Sequence, residues 1–409
     1  MHKSYKFRIY PNKSQEELLS RTFGCVRFLW NKHVAAFNSF GVEGPVQLVT
    51  PKRLKGIDAF SFLNEVSAAA LQQKDRDFDE FKKQYFSKSR SKKIGRPKFK
   101  KRGYKDSYRL PNQKFSLDQQ SKRIRLEKIG RVKISLDRVI PDNAKFLSVT
   151  ISKNRANELY ASILVEEDIK PKPTTGRSVG IDLGFIDLLS CSTGHVIENP
   201  RWFRKTQAKL ARNQRHLSRK VKGSKRYERQ RLRVAKIHQK VSRQRSWYHH
   251  QISSWLVSNF DTICMEDLNI AGMKKLFGKS VSDAGLSSLV NQITYKSNWY
   301  GKTFHKVDRF FASSKTCSCC GVKSSFGLDV REWSCTSCGT NHDRDLNASI
   351  NILKMGLQDL YDLTSAELTE VVVRNSNEIE RGEDVRLSKE LAPLIATSMK
   401  RLADFYRFA

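Results

Sequence analysis

The sequence predicts an α+β multidomain protein: a small β-barrel with a helical insertion, then a linker, then a mixed α/β part holding a cysteine metal site. Three observations carry that expectation. The hydrophobic period changes to two between Phe115 and Glu166, the segment Lys170-Pro171-Lys172-Pro173-Thr174-Thr175-Gly176 has linker composition, and five of the eight cysteines crowd into Cys317 to Cys338.

Tyr5-Lys6-Phe7-Arg8-Ile9-Tyr10 alternates as a strand does and is stopped by Pro11-Asn12. Ser14-Gln15-Glu16-Glu17 has the form of a capping box, and Leu18, Thr22, Cys25, Val26 and Leu29 follow at helical spacing to about Phe40. Gly41 to Pro51 has loop composition. A second helix is expected from about Phe62 to Phe86, with Val66, Ala70, Phe78, Phe81 and Tyr85 as its apolar stripe. A basic tract with aromatics runs from Lys82 to Arg109. The strand meander comes next, through Ile124 and Leu126, Val132 to Leu136, Leu147 to Ile151, and Tyr160 to Val165. With Tyr5 to Tyr10 as its first strand, it makes the barrel.

Beyond the linker, Val179-Gly180-Ile181-Asp182-Leu183-Gly184 is strand-like, with Leu188 to Ser192 as a hairpin partner. Trp202 to His250 is helical and carries seventeen Lys/Arg against one acid, Glu228, with a break expected at Lys222-Gly223-Ser224. Thr262-Ile263-Cys264-Met265-Glu266 reads as a buried strand ending in a carboxylate. Asp345 should open a helix.

The formal net charge of +35 over 409 residues opposes compaction and calls for a polyanionic partner. Anionic membrane is the rival. No apolar run of about 18 residues could span a bilayer, and the first residues lack a secretory h-region, so a soluble intracellular protein is expected.

Three carboxylates stand out. Asp182 lies in an apolar strand between Gly180 and Gly184, Glu266 ends another, and Asp345 opens a helix. A bare carboxylate is costly to bury unless it is paired or bound to a metal. Acids at strand and helix ends, far apart in sequence, suit a cluster for divalent cations; two Mg²⁺ about 4 Å apart would support in-line phosphodiester displacement. Taken alone, Glu266 and Asp345 better suit an ordinary strand end and cap, and Asp182, with glycines flanking an acid inside an apolar strand, suits either reading equally. Gly180 to Gly184 lacks the features of a P-loop or a dinucleotide fingerprint.

The cysteines are more specific. Cys317-Ser318-Cys319-Cys320 and Cys335-Thr336-Ser337-Cys338, each followed by glycine, suit a structural zinc ribbon with ligands Cys317, Cys320, Cys335 and Cys338. Cys319 could replace Cys320. A redox pair is the alternative, disfavoured because the motif is doubled. In the basic tract, Arg96, Lys98, Phe99, Lys100, Lys101, Tyr108 and Arg109 suit phosphate contact with stacking on an exposed base. A charge run is ordinarily a solvated face, but acids are too few here to balance the cations.

Together these stretches resemble the TnpB family of insertion sequences. The resemblance rests on Tyr5 to Pro11, Phe23-Gly24-Cys25-Val26-Arg27-Phe28 with Trp30-Asn31, Gly95 to Lys101 with Ser107-Tyr108-Arg109, Gly180 to Gly184, Met265-Glu266-Asp267-Leu268, Ser313-Ser314-Lys315-Thr316-Cys317 and His342 to Ala348. It implies a wedge barrel (1–12 and 110–170), a helical recognition domain (13–109), an RNase H-like RuvC nuclease domain (171–315 and 341–356), an inserted zinc ribbon (316–340) and a variable tail (357–409). It further implies RNA-guided DNA cleavage with Mg²⁺ at Asp182, Glu266 and Asp345, and one structural Zn²⁺. The implied partners are a guide RNA from the transposon end, one protein to each, and a double-stranded DNA target. Gln72 falls where the family contacts the target-adjacent motif. The implied location is the bacterial or archaeal cytoplasm, at the nucleoid. Asp343 is the neighbour that could be mistaken for Asp345. The similarity is faint from Met355 on, around Gly382-Glu383-Asp384. The rival functions are a nuclease-silent RNA-guided repressor, against which all three acids argue, and a strand-transferring transposase.

Overall fold

Strand β1 (His2–Tyr10) buries Tyr5, Phe7 and Ile9 and turns the intervening side chains outward, as its alternation requires. The protein's structure is a computed structural model that describes residues 1–39, 50–87, 94–103, 106–327 and 329–361. Most of the loop expected at Gly41 to Pro51, the middle of the basic tract, and the tail from residue 362, with Gly382-Glu383-Asp384, lie outside the described residues. The chain divides into two units: Met1–Asp168 with Lys220–Lys236, and Ile169–Arg219 with Ile237 onward.

In the first unit, α1 (Lys13–Asn38) starts on a capping box, but one set earlier than expected. Asn12, not Ser14, is the cap: its side chain accepts from Gln15 N–H at 2.9 Å, and the Gln15 side chain accepts from Asn12 N–H at 3.1 Å. Ser14 instead donates its hydroxyl to Asn12 Oδ1. A short α2 (Pro51–Lys55) and a 3₁₀ stretch (Asp58–Glu65) precede α3 (Ala68–Phe86). The helix expected from Phe62 therefore begins later, because Val66 is extended and Ser67 caps Ala70 N–H.

Strands β2 (Asp106–Pro111), β3 (Phe115–Asp118), β4 (Arg123–Leu126), β5 (Gly130–Ser135), β6 (Lys145–Lys153) and β7 (Leu159–Glu166) join β1 in one antiparallel sheet of order β2-β6-β7-β1-β5-β4-β3. The two edge strands, β2 and β3, are consecutive in the chain and joined by only Asn112–Lys114. A three-residue link spans about 14 Å at most, so the sheet must curl until its edges nearly meet. The expected barrel is thus a curled sheet with an unbonded seam. Its inner side chains, among them Phe7, Leu110, Ile124, Ile134 and Ile163, form one core with Leu19, Phe23 and Leu29 of α1.

The second unit opens with β8 (Ser178–Leu183) and β9 (Asp187–Cys191), the hairpin anticipated after the linker, and with β10 (Val196–Glu198), a third strand not anticipated. Helices α4 (Trp202–Ser218) and α5 (Lys225–Asn259) are the expected basic helices, broken around Gly223, and the first turns of α5, to Lys236, belong to the first unit. α5 runs nine residues past His250, since Ile252, Leu256 and Val257 continue an apolar stripe into the core. Next come β11 (Thr262–Glu266), α6 (Ile270–Ala284), α7 (Leu286–Tyr300) and β12 (Thr303–Val307). The sheet order is β10-β9-β8-β11-β12, with β8, β11 and β12 parallel. Parallel strands covered on both faces read as unbroken apolar runs, which is why Val179 to Ile181 and Thr262 to Met265 do not alternate. A two-stranded ribbon, β13 (Glu332–Ser334) with β14 (Asn341–Asp343), leads into α8 (Arg344–Tyr361).

Helix α8 lies directly on β8, and Gly180 permits that approach. A Cβ at Gly180 would sit 2.1 Å from the Ser349 carbonyl oxygen and 2.5 Å from Leu353 N. Glycine here serves helix-to-sheet contact rather than phosphate binding.

Candidate functional site

Glu266 is the last residue of β11, and β11 runs parallel to β8 with Met265 opposite Ile181. The next residue on each strand is a carboxylate. Asp182 and Glu266 therefore emerge side by side on one face of the sheet, at its carboxyl end. Asp345 lies in the first turn of α8, the helix packed on β8. Burial pushes the Asp182 carboxyl up to about 7, and the charges of Asp345 and Glu266 add to the rise against the pull of Arg344. Glu266 is also raised by burial and is partly relieved by the Ser313 hydroxyl, which donates to its Oε1 at 3.0 Å. Asp345 accepts from Arg331 Nη1 at 2.7 Å and from Arg344 Nε at 3.4 Å. The charges of the other two acids that the sequence singles out thus both reach the buried Asp182 carboxyl.

Asp343 does something else. Its Oδ1 accepts from Leu346 N–H at 2.8 Å, three residues on, which makes it the N-cap of α8. Ser313, Arg331, Arg344 and Asp187 were not anticipated as site residues. Asp187, at the start of β9, is raised by burial and by the nearby Asp345 charge. Ser313 and Arg344 sit inside stretches that carry the family resemblance, whereas nothing in the sequence marks Arg331.

The cysteine site is built as the spacing requires. The sulfurs of Cys317, Cys320, Cys335 and Cys338 all lie within 4.8 Å of one another, a set that could hold a metal ion. Cys319 is exposed and outside the set, so Cys320 takes the position. Gly321 and Gly339 turn left-handed (φ +77° and +74°), and each returns its N–H to the carbonyl of the first cysteine of its pair at 2.9 Å. The Thr340 hydroxyl and backbone, with neighbouring thiols, hold the Cys338 thiol down at about 6. His342 Nε2 lies 3.0 Å from Cys317 Sγ, an outer partner that the cysteine pattern does not reveal.

The cysteine site and the carboxylates are tied together. Asn347 of α8 accepts from Ser318 N–H and donates to the Thr316 carbonyl, both at 2.8 Å. Asn351 donates to the Ser313 carbonyl at 2.8 Å, and Lys354 to the Ser318 carbonyl at 2.7 Å. Residues 313–318 are therefore held by the helix that carries Asp345.

In the first unit, the basic tract is docked on α1. Trp30 Nε1 donates to the Lys98 carbonyl at 3.1 Å, and Asn31 exchanges hydrogen bonds with the Lys100 backbone at 3.1 and 2.8 Å. Pro97 is buried while Arg96, Lys98, Phe99 and Lys101 are exposed. Lys100 Nζ stands 4.0 Å over the Trp30 ring, and burial, with Lys74 nearby, holds its ammonium down at about 8. Gln72 is exposed on α3. Arg109 is paired with Asp77 at 2.6 Å. Tyr108 is not placed for base stacking. It alternates inward on β2, is 2% exposed, and packs on Phe23 at 5.6 Å. The period of two, not the surrounding charge, decides its side. Near the tract, Arg27, Arg102, Lys153, Arg155 and Arg231 line a cavity of about 660 Å³.

An α+β chain with a curled sheet, converging carboxylates and a four-cysteine site can be set beside known proteins. Residues 162–276 match the OrfB_IS605 family model, described as "Probable transposase", and residues 287–352 match "Cas12f1-like, TNB domain". Residues 1–38 match a model described as a "Helix-turn-helix domain", although here they form one strand and one helix. A Streptomyces pristinaespiralis protein named "Putative RNA-guided DNA endonuclease" is 36% identical over 87% of this chain and 89% of its own length. Escherichia coli K12 InsQ, named in the same terms, is 29% identical over 86% of this chain and 92% of its own. The fold is shared with the protein of a solved Cas12f1–sgRNA–target DNA complex, at a TM-score of 0.53 and 13% identity, over 86% of this chain and 98% of that one. The molecule is of the class of transposon-encoded proteins with a Cas12f-like fold. Within that class, the chain belongs to the TnpB family.

Proposed function

We propose that this protein is an RNA-guided DNA endonuclease of transposon origin, and that Asp182, Glu266 and Asp345 hold the divalent cations of its nuclease centre. One observation carries the reading: three carboxylates from separate segments converge, and Asp182 is raised to about 7 in part by the other two charges. Such a cluster relaxes when a hard cation enters, and its oxygen donors suit Mg²⁺. When bound, Mg²⁺ supplies an activated water and stabilises the departing oxygen. The chain's own part is to hold the ligands. Strand ends fix Asp182 and Glu266, Ser313 orients Glu266, and Arg331 and Arg344 position Asp345 and would balance phosphate charge.

The sheet β10-β9-β8-β11-β12 with α8 would be the RuvC domain, the four cysteines a structural zinc site, and the curled sheet with its helices the wedge and recognition parts. We assign the boundaries 1–12 with 110–170, 13–109, 171–315 with 341–356, 316–340 and 357–409 accordingly. The exposed cations of the Arg96 to Lys101 tract, together with Arg109 and Gln72, would meet the guide RNA, one protein to each RNA, and the target duplex. Among the described residues no helix is long and apolar enough to cross a membrane, and the proposed work is cytoplasmic, at the nucleoid.

The test is Mg²⁺-dependent cleavage of a plasmid bearing a guide-matched target, with Asp182→Ala beside the wild type. Site-specific cutting by the wild type and none by the variant is expected. Binding without cutting by the wild type would favour a nuclease-silent repressor, and joined rather than free DNA ends a transposase.

A further inference from the structure

Phe310 is the most exposed large apolar residue among the described residues, at 89%. It is also held in place. The loop after β12 turns on Asp308, whose side chain accepts from Phe310 N–H at 2.8 Å and whose carbonyl accepts from Phe311 N–H at 3.3 Å. Its neighbours anchor both ends. Arg309 Nε donates to the Asp267 carbonyl at 2.9 Å, and Ser313 donates to Glu266. Of the two phenylalanines, Phe311 turns in and packs with Cys264, Val307 and Ile352, while Phe310 is left outside. Nothing within the described chain covers the ring. Two residues lie between Phe310 and Ser313, so their Cα atoms are at most about 11 Å apart. That limit is about the length of three stacked nucleotides, measured to the residue whose hydroxyl bonds Glu266. Lys306 and Arg309, each paired with Asp267, and the exposed Lys315 lie in the same stretch of chain.

We propose that Phe310 is a substrate-contact residue that stacks on one unpaired base of the DNA strand entering the Asp182–Glu266–Asp345 cluster. The inference rests on the endonuclease reading and adds to it a base-holding element at the nuclease centre. A flat, rigidly displayed ring accepts any base, because every base has a π-face. It would hold the strand just beside the reacting phosphate without reading sequence.

The experiment uses the full chain with its guide RNA and target duplexes carrying single 2-aminopurines near the cut site, in an Asp182→Asn background so that the strand stays intact. One probe position should be quenched by Phe310 and by Phe310→Tyr, and released in Phe310→Ala and Phe310→Leu. With Asp182 restored, single-turnover cleavage should fall about 5- to 150-fold in Phe310→Ala, the range that stacking one base spans, and stay near wild type in Phe310→Tyr. The thermal midpoint and guide affinity should not move. Cleavage by Phe310→Ala at the wild-type rate, or Phe310→Leu equal to Phe310→Tyr, overturns the proposal. So does a lowered thermal midpoint, or loss of a dimer in sedimentation, either of which would place the ring against protein. A wild-type complex that binds but never cuts defeats the endonuclease reading instead, and the fluorescence still reports on stacking.

Discussion

Ser313 donates its hydroxyl to Glu266 Oε1 at 3.0 Å while its carbonyl is held by Asn351 of α8 at 2.8 Å. One residue thus connects the acid at the end of β11 to the helix bearing Asp345. A hydrogen bond to a charged group contributes about 1.5–3 kcal/mol net. Ser313→Ala should therefore slow cleavage at neutral pH about 10- to 100-fold and move the acid limb of the pH–rate profile upward, since Glu266 loses the bond that opposes its raised proton affinity. Guide binding should be unchanged. An unshifted profile would mean that the bond is not made in the working complex.

Asp343 and Asp345 lie two residues apart on different duties. Loss of an N-cap costs about 1 kcal/mol, so Asp343→Ala should lower thermal stability slightly and keep most cleavage, and Asp343→Asn should restore the cap. Asp345→Ala should abolish cleavage and leave target binding intact. A dead Asp343→Ala with an active Asp345→Ala would reverse the assignment.

The four cysteines should take up one zinc per chain, measured by metal analysis of protein purified without added zinc. Cys319→Ser should retain it and Cys320→Ser should lose it, as their places in and out of the cluster require. Because Asn347 and Asn351 bind 313–318 to α8, stripping the metal should also depress cleavage, although no cysteine touches the carboxylates. Full activity in zinc-free protein would refute that linkage.

Much of the site was legible because its parts are local in sequence. Asp182 and Glu266 announce themselves as acids in apolar runs, and the paired C-x-x-C with following glycines sets its own geometry. What could not be read depends on contacts across the chain. Arg331 reaches Asp345 only once the cysteine ribbon folds back, and His342 meets Cys317 across the same turn. The fold behaved alike: the strand alternation was plain, yet nothing local says that β2 and β3 end at opposite edges of one curled sheet. Tyr108 was misjudged because the charge around it outweighed the alternation of its own strand.

The docked tract should carry part of the affinity for nucleic acid. Replacing Lys98, Lys100 and Lys101 together with Ala should flatten the dependence of log K on log[salt] by about 2 to 3, at roughly 0.7–0.9 for each phosphate no longer neutralised. Lys98→Ala alone should flatten it more than Lys100→Ala, because the Lys100 ammonium is already engaged over the Trp30 ring at 4.0 Å. Filter-binding titrations of the guide RNA read both, and an unchanged slope in the triple variant would make the tract a solvated face.

The raised Asp182 carboxyl gives the site a proton–metal competition. Its ordinary value is 3.8 and its value in the fold about 7, so without metal the folded protein holds this proton more tightly than the unfolded chain does. The stability this contributes is present below about pH 4 and is lost as pH rises through about 7. Metal-free protein should accordingly melt lower at pH 8 than at pH 5, and Asp182→Asn should flatten that part of the trend. A divalent cation needs the ionised carboxyl, so added Mg²⁺ should raise the melting temperature more at pH 8 than at pH 5. The same competition should appear in kinetics as an acid limb near pH 7 at low Mg²⁺ that moves to lower pH as Mg²⁺ is increased, by about one pH unit for each tenfold rise above its dissociation constant. Thermal melts and single-turnover rates across a grid of pH and Mg²⁺ measure both effects. An acid limb that stays fixed while Mg²⁺ varies would show that the titrating group is not a metal ligand, and would remove Asp182 from the proposed centre.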